Sequence, residues 1–215
     1  MDAEYANKYA HLKLLKRLVN KMRESKNVLF VGVGGQGTIL ASKILTEGLL
    51  KSGYDVKMSE VHGMAQRGGS VTTQVRFGEK VYSPLIEKGK VDVIVSFEKS
   101  EAARYLPYLK KDGYIVVNDY EIHPLPVLMG KEKYPEKINE RLTEAVDNIV
   151  IINAAEIAQK LGNIKAQNVV LLGSLIKVLK LENINWDEVI SAIVPAKAIE
   201  LNKKAFKAGM EVNNN

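Results

Sequence analysis

Two periods of hydrophobicity take turns along this chain. Leu12, Leu15, Val19 and Met22 recur three and four residues apart, which places them on one side of a helix over residues 2–25. Val28–Val33 is a short apolar run and reads as a buried strand. Thr38–Leu50 returns to helical spacing through Ile39, Ile44 and Leu49, and Gly53 follows where a left-handed cap is wanted. Asp55–Ser59 is a second strand. Ser70–Phe77 alternates small apolar or β-branched residues with polar ones, the mark of a third. No crossover helix fits between the second and third strands, so at least one strand pair is expected to be antiparallel.

Further on, Val91–Phe97 is another buried strand, Ser100–Lys110 a helix and Tyr114–Val117 a strand. Pro124 and Pro126 make residues 120–130 a loop. Pro135–Val146 reads as helix and Asn148–Ile152 as the last strand. From Ala154 the pattern is helical throughout, over 154–161, 166–180, 186–194 and 196–208. Asn185 with Glu188 three residues on resembles a capping box, and Pro195 parts the last two helices. Strands alternating with helices predict a three-layer α/β/α domain on a mostly parallel, partly antiparallel (mixed) sheet. An all-helical C-terminal part and an N-terminal helical extension complete it. The expected division is a basic helix over 1–26 and one domain over 27–215.

Composition narrows the function. The 215 residues are 46% hydrophobic and 26% charged, as in ordinary globular chains. There is no cysteine, which excludes disulfides and cysteine-held zinc or iron–sulfur clusters. His11, His62 and His123 are too scattered for a metal site. Residues 1–27 hold seven lysines and arginines against three acids, +4 of the net +6, so the body is nearly neutral. That charge fits a solvated helix face, or an acidic partner, and lacks the aromatic interleaving of a nucleic-acid surface. No apolar run reaches the ~18 residues of a membrane span. The polar N-terminus is unlike a signal peptide, so a cytoplasmic protein is expected.

The candidate chemistry sits in two glycine loops. Gly32-Val33-Gly34-Gly35-Gln36-Gly37 matches G-x-G-x-x-G between a strand and a helix. Glycines admit a tight turn and close approach, and the N–H groups and dipole of the helix start favour a phosphate or carboxylate. The same residues would also serve a bare strand–helix junction. Glu60, 23 residues after Gly37, leaves NAD open as the ligand. The second loop, Glu60–Val71, holds Gln66, Arg67, Gly68, Gly69 and Ser70 where a plain dinucleotide domain would start a helix. Beside the first loop it would form the opposite lip of a ligand crevice, with Arg67 a bidentate anion donor. The alternative is a turn between antiparallel strands. His62 is a weaker candidate for acid–base work. Asn118, at a strand end, fits a ligand contact or a turn. Trp186 reads as core or cap packing, and Asn168 would hydrogen-bond across the helical tail.

Together, "VGVGGQGTILASKIL" and "SEVHGMAQRGGSVTTQVRFG" resemble the gamma-type domain of the 2-oxoacid:ferredoxin oxidoreductases, most closely the beta subunits of the indolepyruvate enzymes. "VDVIVSFEKSEAARYLPYLKKDGYIVVND", "NVVLLGSLIKVL" and "NKKAFKAGME" extend the likeness over residues 27–212. It implies a subunit of a complex that oxidatively decarboxylates an aryl pyruvate to an acyl-CoA and passes electrons to ferredoxin. Thiamine diphosphate, magnesium and [4Fe-4S] clusters would lie on a partner alpha subunit. This chain would contribute no catalytic residue. It would contact coenzyme A through Gly34, Gly35, Gln36, Gly37, Gln66, Arg67, Gly68, Gly69 and Ser70. Two other readings stand beside it: a freestanding NAD(P)- or flavin-dependent oxidoreductase, and a non-catalytic assembly subunit.

Overall fold

The structure, a computed structural model, describes residues 25–62 and 68–212. The basic N-terminal helix expected over 2–25, and with it Gln66 and Arg67, lie outside the described residues, save Ser25. Six strands form one sheet: β1 (Lys26–Val33), β2 (Asp55–His62), β3 (Ser70–Gly78), β4 (Val91–Ser96), β5 (Leu109–Asn118) and β6 (Ile149–Ile152). Their order is β2-β3-β1-β4-β5-β6. β1, β4, β5 and β6 run parallel, and β3 is antiparallel to both β1 and β2. The mixed sheet expected from the missing crossover is present.

The buried strand β1 splits its side chains between two cores, as period-two alternation requires. Val28 and Phe30 face one layer of helices, and Leu29 and Val31 face the other. On the first face, α1 (Thr38–Lys51) applies Ala41, Ile44, Leu45 and Leu49 to the sheet. On the second lie α2 (Lys99–Tyr105), through Ala102, and α4 (Ile138–Ala145), through Ile138 and Leu142. Within residues 120–130, expected as a loop, Leu125–Leu128 form a single helical turn, α3, before α4. The helical tail packs onto the first face as α5 (Ala154–Lys160), α6 (Gln167–Leu179), α7 (Trp186–Ile193) and α8 (Ile199–Glu211). Residues 168–176 of α6 are all buried, so this helix is enclosed on every side.

Three local expectations are corrected. The helix foreseen over Ser100–Lys110 stops at Tyr105. Pro107 enforces a 3₁₀ turn at Leu106–Tyr108, and β5 then begins at Leu109, five residues before its expected start. The extra residues bulge, since Val91 pairs Leu109 while Val93 pairs Tyr114. The helix foreseen from Pro135 begins only at Ile138, after Lys137 with a left-handed φ of 57°. Other expectations hold: Gly53 has φ 84°, Asn185 accepts from the Glu188 N–H at 3.3 Å, and Trp186 is core.

Helices α6 and α8 touch at backbone distance. A Cβ on Gly209 would lie 1.9 Å from the Val170 carbonyl oxygen, and one on Gly173 would lie 2.1 Å from that of Phe206. Neither backbone yields without parting the helices. Gly209→Ala is therefore expected to destabilise the fold by about 1–3 kcal/mol, the usual cost of overpacking. A urea-unfolding midpoint equal to that of the parent chain would contradict this contact.

Candidate functional site

An antiparallel β3 brings its own start to the end where β1 finishes. Val33 pairs with Ser70, so the two glycine loops meet at the carboxyl edge of the sheet. The Gly34 N–H donates to the Gly69 carbonyl at 2.9 Å, joining them directly. This edge is also the topological switch point, because the chain leaves β1 toward β2 on one side and takes up β4 on the other. Open α/β sheets bind ligands in such crevices.

The first loop turns within four residues. Gly35 has φ +103° and Gly37 φ +81°, both in the region that side chains strain to enter. A Cβ on Gly35 would meet nothing within 4 Å, so glycine is set there by backbone angle, and the space above it is open. Gly37 differs, since its Cβ would lie 2.4 Å from Asn168 Nδ2. Gln36 turns inward. Its Oε1 accepts from the Val33 N–H at 2.7 Å, and its Nε2 donates to the Phe97 carbonyl at 2.8 Å. That carbonyl also accepts from Asn118 Nδ2 at 3.2 Å, and Asn118 in turn donates to Gln167 Oε1 at 3.0 Å. The Asn118 Oδ1 takes the Ala154 N–H, which begins α5. Asn118 thus serves β4, α5 and α6 at once.

The N–H groups of Gly35, Gly37, Thr38 and Ile39 find no acceptor among the described residues. They border a cavity of about 360 Å³ walled by Thr38, Ile39, His62, Val71 and Thr73. The first turn of α1 carries no acidic residue, so nothing offsets its positive dipole end. The arrangement suits an anionic group.

In the second loop, Gly68 is exposed with φ +81°, and Gly69 is committed through its carbonyl. Ser70 leaves the cavity for the opposite face of the sheet, where its hydroxyl donates to the Glu101 carboxylate. Burial raises the Glu101 carboxyl above its usual range, against the pull of Ser70 and of Arg104 at 3.1 Å. Neighbouring Glu98, wholly buried, caps α2 by accepting the Glu101 N–H at 3.0 Å and also takes the Tyr134 hydroxyl. Glu60 pairs with Thr73 on the edge strand. With β3 interposed, Glu60 stands two strand spacings, about 10 Å, from β1. Glu60 is thus displaced from the ribose-binding place it would hold in a plain dinucleotide domain, where the second strand lies directly beside the first, and this counts against the nicotinamide reading.

A larger cavity of about 530 Å³ lies past β5, around Lys99, Asp119, Glu121, His123 and Tyr134. Lys99 bridges Asp119 at 3.2 Å and Glu121 at 2.7 Å. Burial works against its charge, but hydrogen bonds to the two carboxylates win and raise its pKa. Lys99 is thus spent on two carboxylates, and the lining, with Glu136, Lys137 and Glu140, stays net negative, which does not suit an anion.

The sequence pattern located both loops and singled out Asn168, but placed its hydrogen bond across the helical tail and not on Gly37, and it missed the Phe97 carbonyl. Asn168 lies 131 residues from the glycine it touches, and the Phe97 carbonyl is a backbone atom without sequence signature.

Comparison with known proteins agrees with this geometry. The family described as pyruvate ferredoxin/flavodoxin oxidoreductase matches residues 27–212. Indolepyruvate oxidoreductase subunit IorB of Pyrococcus horikoshii is 43% identical over 192 residues, covering 86% of this chain and 94% of the relative. The pyruvate/ketoisovalerate oxidoreductases common subunit gamma of Pyrococcus abyssi is 29% identical, over 86% of this chain and 93% of the relative. Among solved structures, a 2-oxoglutarate:ferredoxin oxidoreductase from Magnetococcus marinus, with 2-oxoglutarate, coenzyme A and succinyl-CoA bound, superposes with a TM-score of 0.67. It is 20% identical, covers 88% of this chain and 31% of that one, and so speaks for the fold alone. A family match across nearly the whole described chain, and a relative above 40% identity, leave one conclusion: this chain belongs to the pyruvate ferredoxin/flavodoxin oxidoreductase family.

Proposed function

We propose that this chain is the coenzyme A-handling subunit of an indolepyruvate-type ferredoxin oxidoreductase. It is a subunit of a ferredoxin-dependent 2-oxoacid oxidoreductase, and bond-breaking belongs to a partner. The observation that carries the ligand assignment is the group of unaccepted N–H donors on Gly35, Gly37, Thr38 and Ile39, facing one cavity. Coenzyme A supplies a pyrophosphate and a 3′-phosphate to meet them. Arg67, from the second glycine-rich motif of the sequence, is assigned to one of these phosphates.

The division of labour follows from the residues present. With no cysteine, this chain cannot hold [4Fe-4S] clusters by thiolates, so those clusters, with thiamine diphosphate and magnesium, are assigned to the alpha subunit. What this chain adds is position. Held at a rigid strand–helix junction, the carrier's thiol is presented to the partner's acyl intermediate in one orientation, and the assembled subunits exclude water from it. Leu125, Leu128 and Met129, which are 67%, 69% and 57% exposed, offer apolar surface for the partner.

In the reconstituted complex, Gly35→Val places a branched side chain at a positive φ and in the mouth of the cavity. It is expected to raise the coenzyme A KM by about tenfold or more, the loss of roughly one charge-assisted contact. Arg67→Ala is expected to act in the same direction. An unchanged coenzyme A dependence in both variants would remove the ligand assignment, and weakened subunit association at constant KM would favour a purely assembling role. Calorimetric titration separates the remaining alternative: the complex is expected to bind coenzyme A and not NADH. Coexpression with a cysteine-rich alpha subunit is expected to yield one copurifying assembly, and recovery of this chain alone would count against the partnership.

A further inference from the structure

Asn168 is 3% exposed on α6, behind the first glycine loop. Its Nδ2 donates to the Gly37 carbonyl at 3.2 Å, across 131 residues of sequence. Its Oδ1, also buried, has no partner among the described residues. A buried amide with one unmet acceptor is a costly way to fill space. Leucine has nearly the same volume, lacks polar atoms, and would suit a helix otherwise lined by Val169, Val170, Leu171 and Leu172. Packing therefore does not account for an asparagine here.

Its position supplies a reason. Gly37 is the residue before α1, and its carbonyl also takes the Leu40 and Ala41 N–H groups, at 3.1 and 3.3 Å. Asn168 adds a third donor, from α6, and fixes the plane of the peptide that follows Gly37. The nitrogen of that peptide belongs to Thr38, one of the unaccepted N–H groups on the cavity. The same side chain occupies the space in which any Cβ at position 37 would fall. We propose that Asn168 is a positioning residue of the ligand site: it holds the Gly37 carbonyl inward so that the first-turn N–H groups of α1 point at the anion. This rests on the coenzyme A reading above and extends it to a residue that touches no ligand.

The test compares Asn168→Leu and Asn168→Asp with the parent in the assembled complex. Leucine removes the donor and the orphan acceptor. Aspartate keeps the shape, loses the donor and turns a carboxylate oxygen toward the Gly37 carbonyl. The leucine variant is expected to raise the coenzyme A KM by about three- to tenfold with kcat at saturating coenzyme A retained, as expected for one neutral hydrogen bond's effect on orientation, and aspartate, which also buries a negative charge beside the anion site, by at least as much. The leucine variant is also expected to melt at or above the parent temperature, which a merely structural role would not allow. An unchanged KM in the folded variants would overturn the proposal, as would a fall in kcat and melting temperature with no shift in KM. If leucine fails to fold, aspartate decides alone. Gly35→Val serves as the reference. If it raises KM while the Asn168 variants do not, only the positioning role fails. If it too leaves KM unchanged, the ligand reading fails and the proposal with it.

Discussion

An antiparallel strand wedged between two parallel ones starts where its neighbours end. That constraint underlies everything at this site. β3 lies between β2 and β1, so the turn into it and the turn out of β1 share one edge of the sheet, and the Gly34–Gly69 hydrogen bond joins them. Had β2 paired directly with β1 in the usual doubly wound manner, Glu60 would stand near the first loop and the second loop would be a helix start. The inserted strand moves that acid outward and puts a glycine-rich lip in its place.

The first loop then needs support from below, because glycines resist no deformation by themselves. Support comes from amides rather than charges. Gln36 reaches across the switch point to the Phe97 carbonyl, Asn118 meets the same carbonyl from β5, Gln167 meets Asn118, and Asn168 meets Gly37. These bonds tie β1, β4, β5 and α6 together without introducing a negative charge where an anion is to bind. Two carboxylates lie on the other face, where Glu98 caps α2 and Glu101 receives Ser70, while Glu60 stays on the cavity's face beside Thr73.

Thus the side chains of two residues in the loop motifs do structural work. Gln36 and Ser70 looked like ligand donors from their place in the motifs, yet each is turned into the protein. Gly34 and Gly69 likewise spend backbone groups on one another. Among the described residues of the two loops, what remains for a ligand is backbone N–H, which has no sequence signature beyond the absence of side chains.

The order of strands and helices, the antiparallel pairing, the two loops and the capping of α7 by Asn185 were all legible in the sequence, because periodicity and turn chemistry act over a few neighbouring residues. The helix after Ser100 shows a limit of such patterns: the apolar spacing through Leu109 carries on past Pro107, where the helix has already ended at Tyr105. Tertiary structure alone decided which strand lies beside β1, which face Ser70 takes, and that Asn168 meets Gly37. Those depend on contacts between segments tens to more than a hundred residues apart, whose pairing is selected by burial of the whole sheet and not by any local pattern.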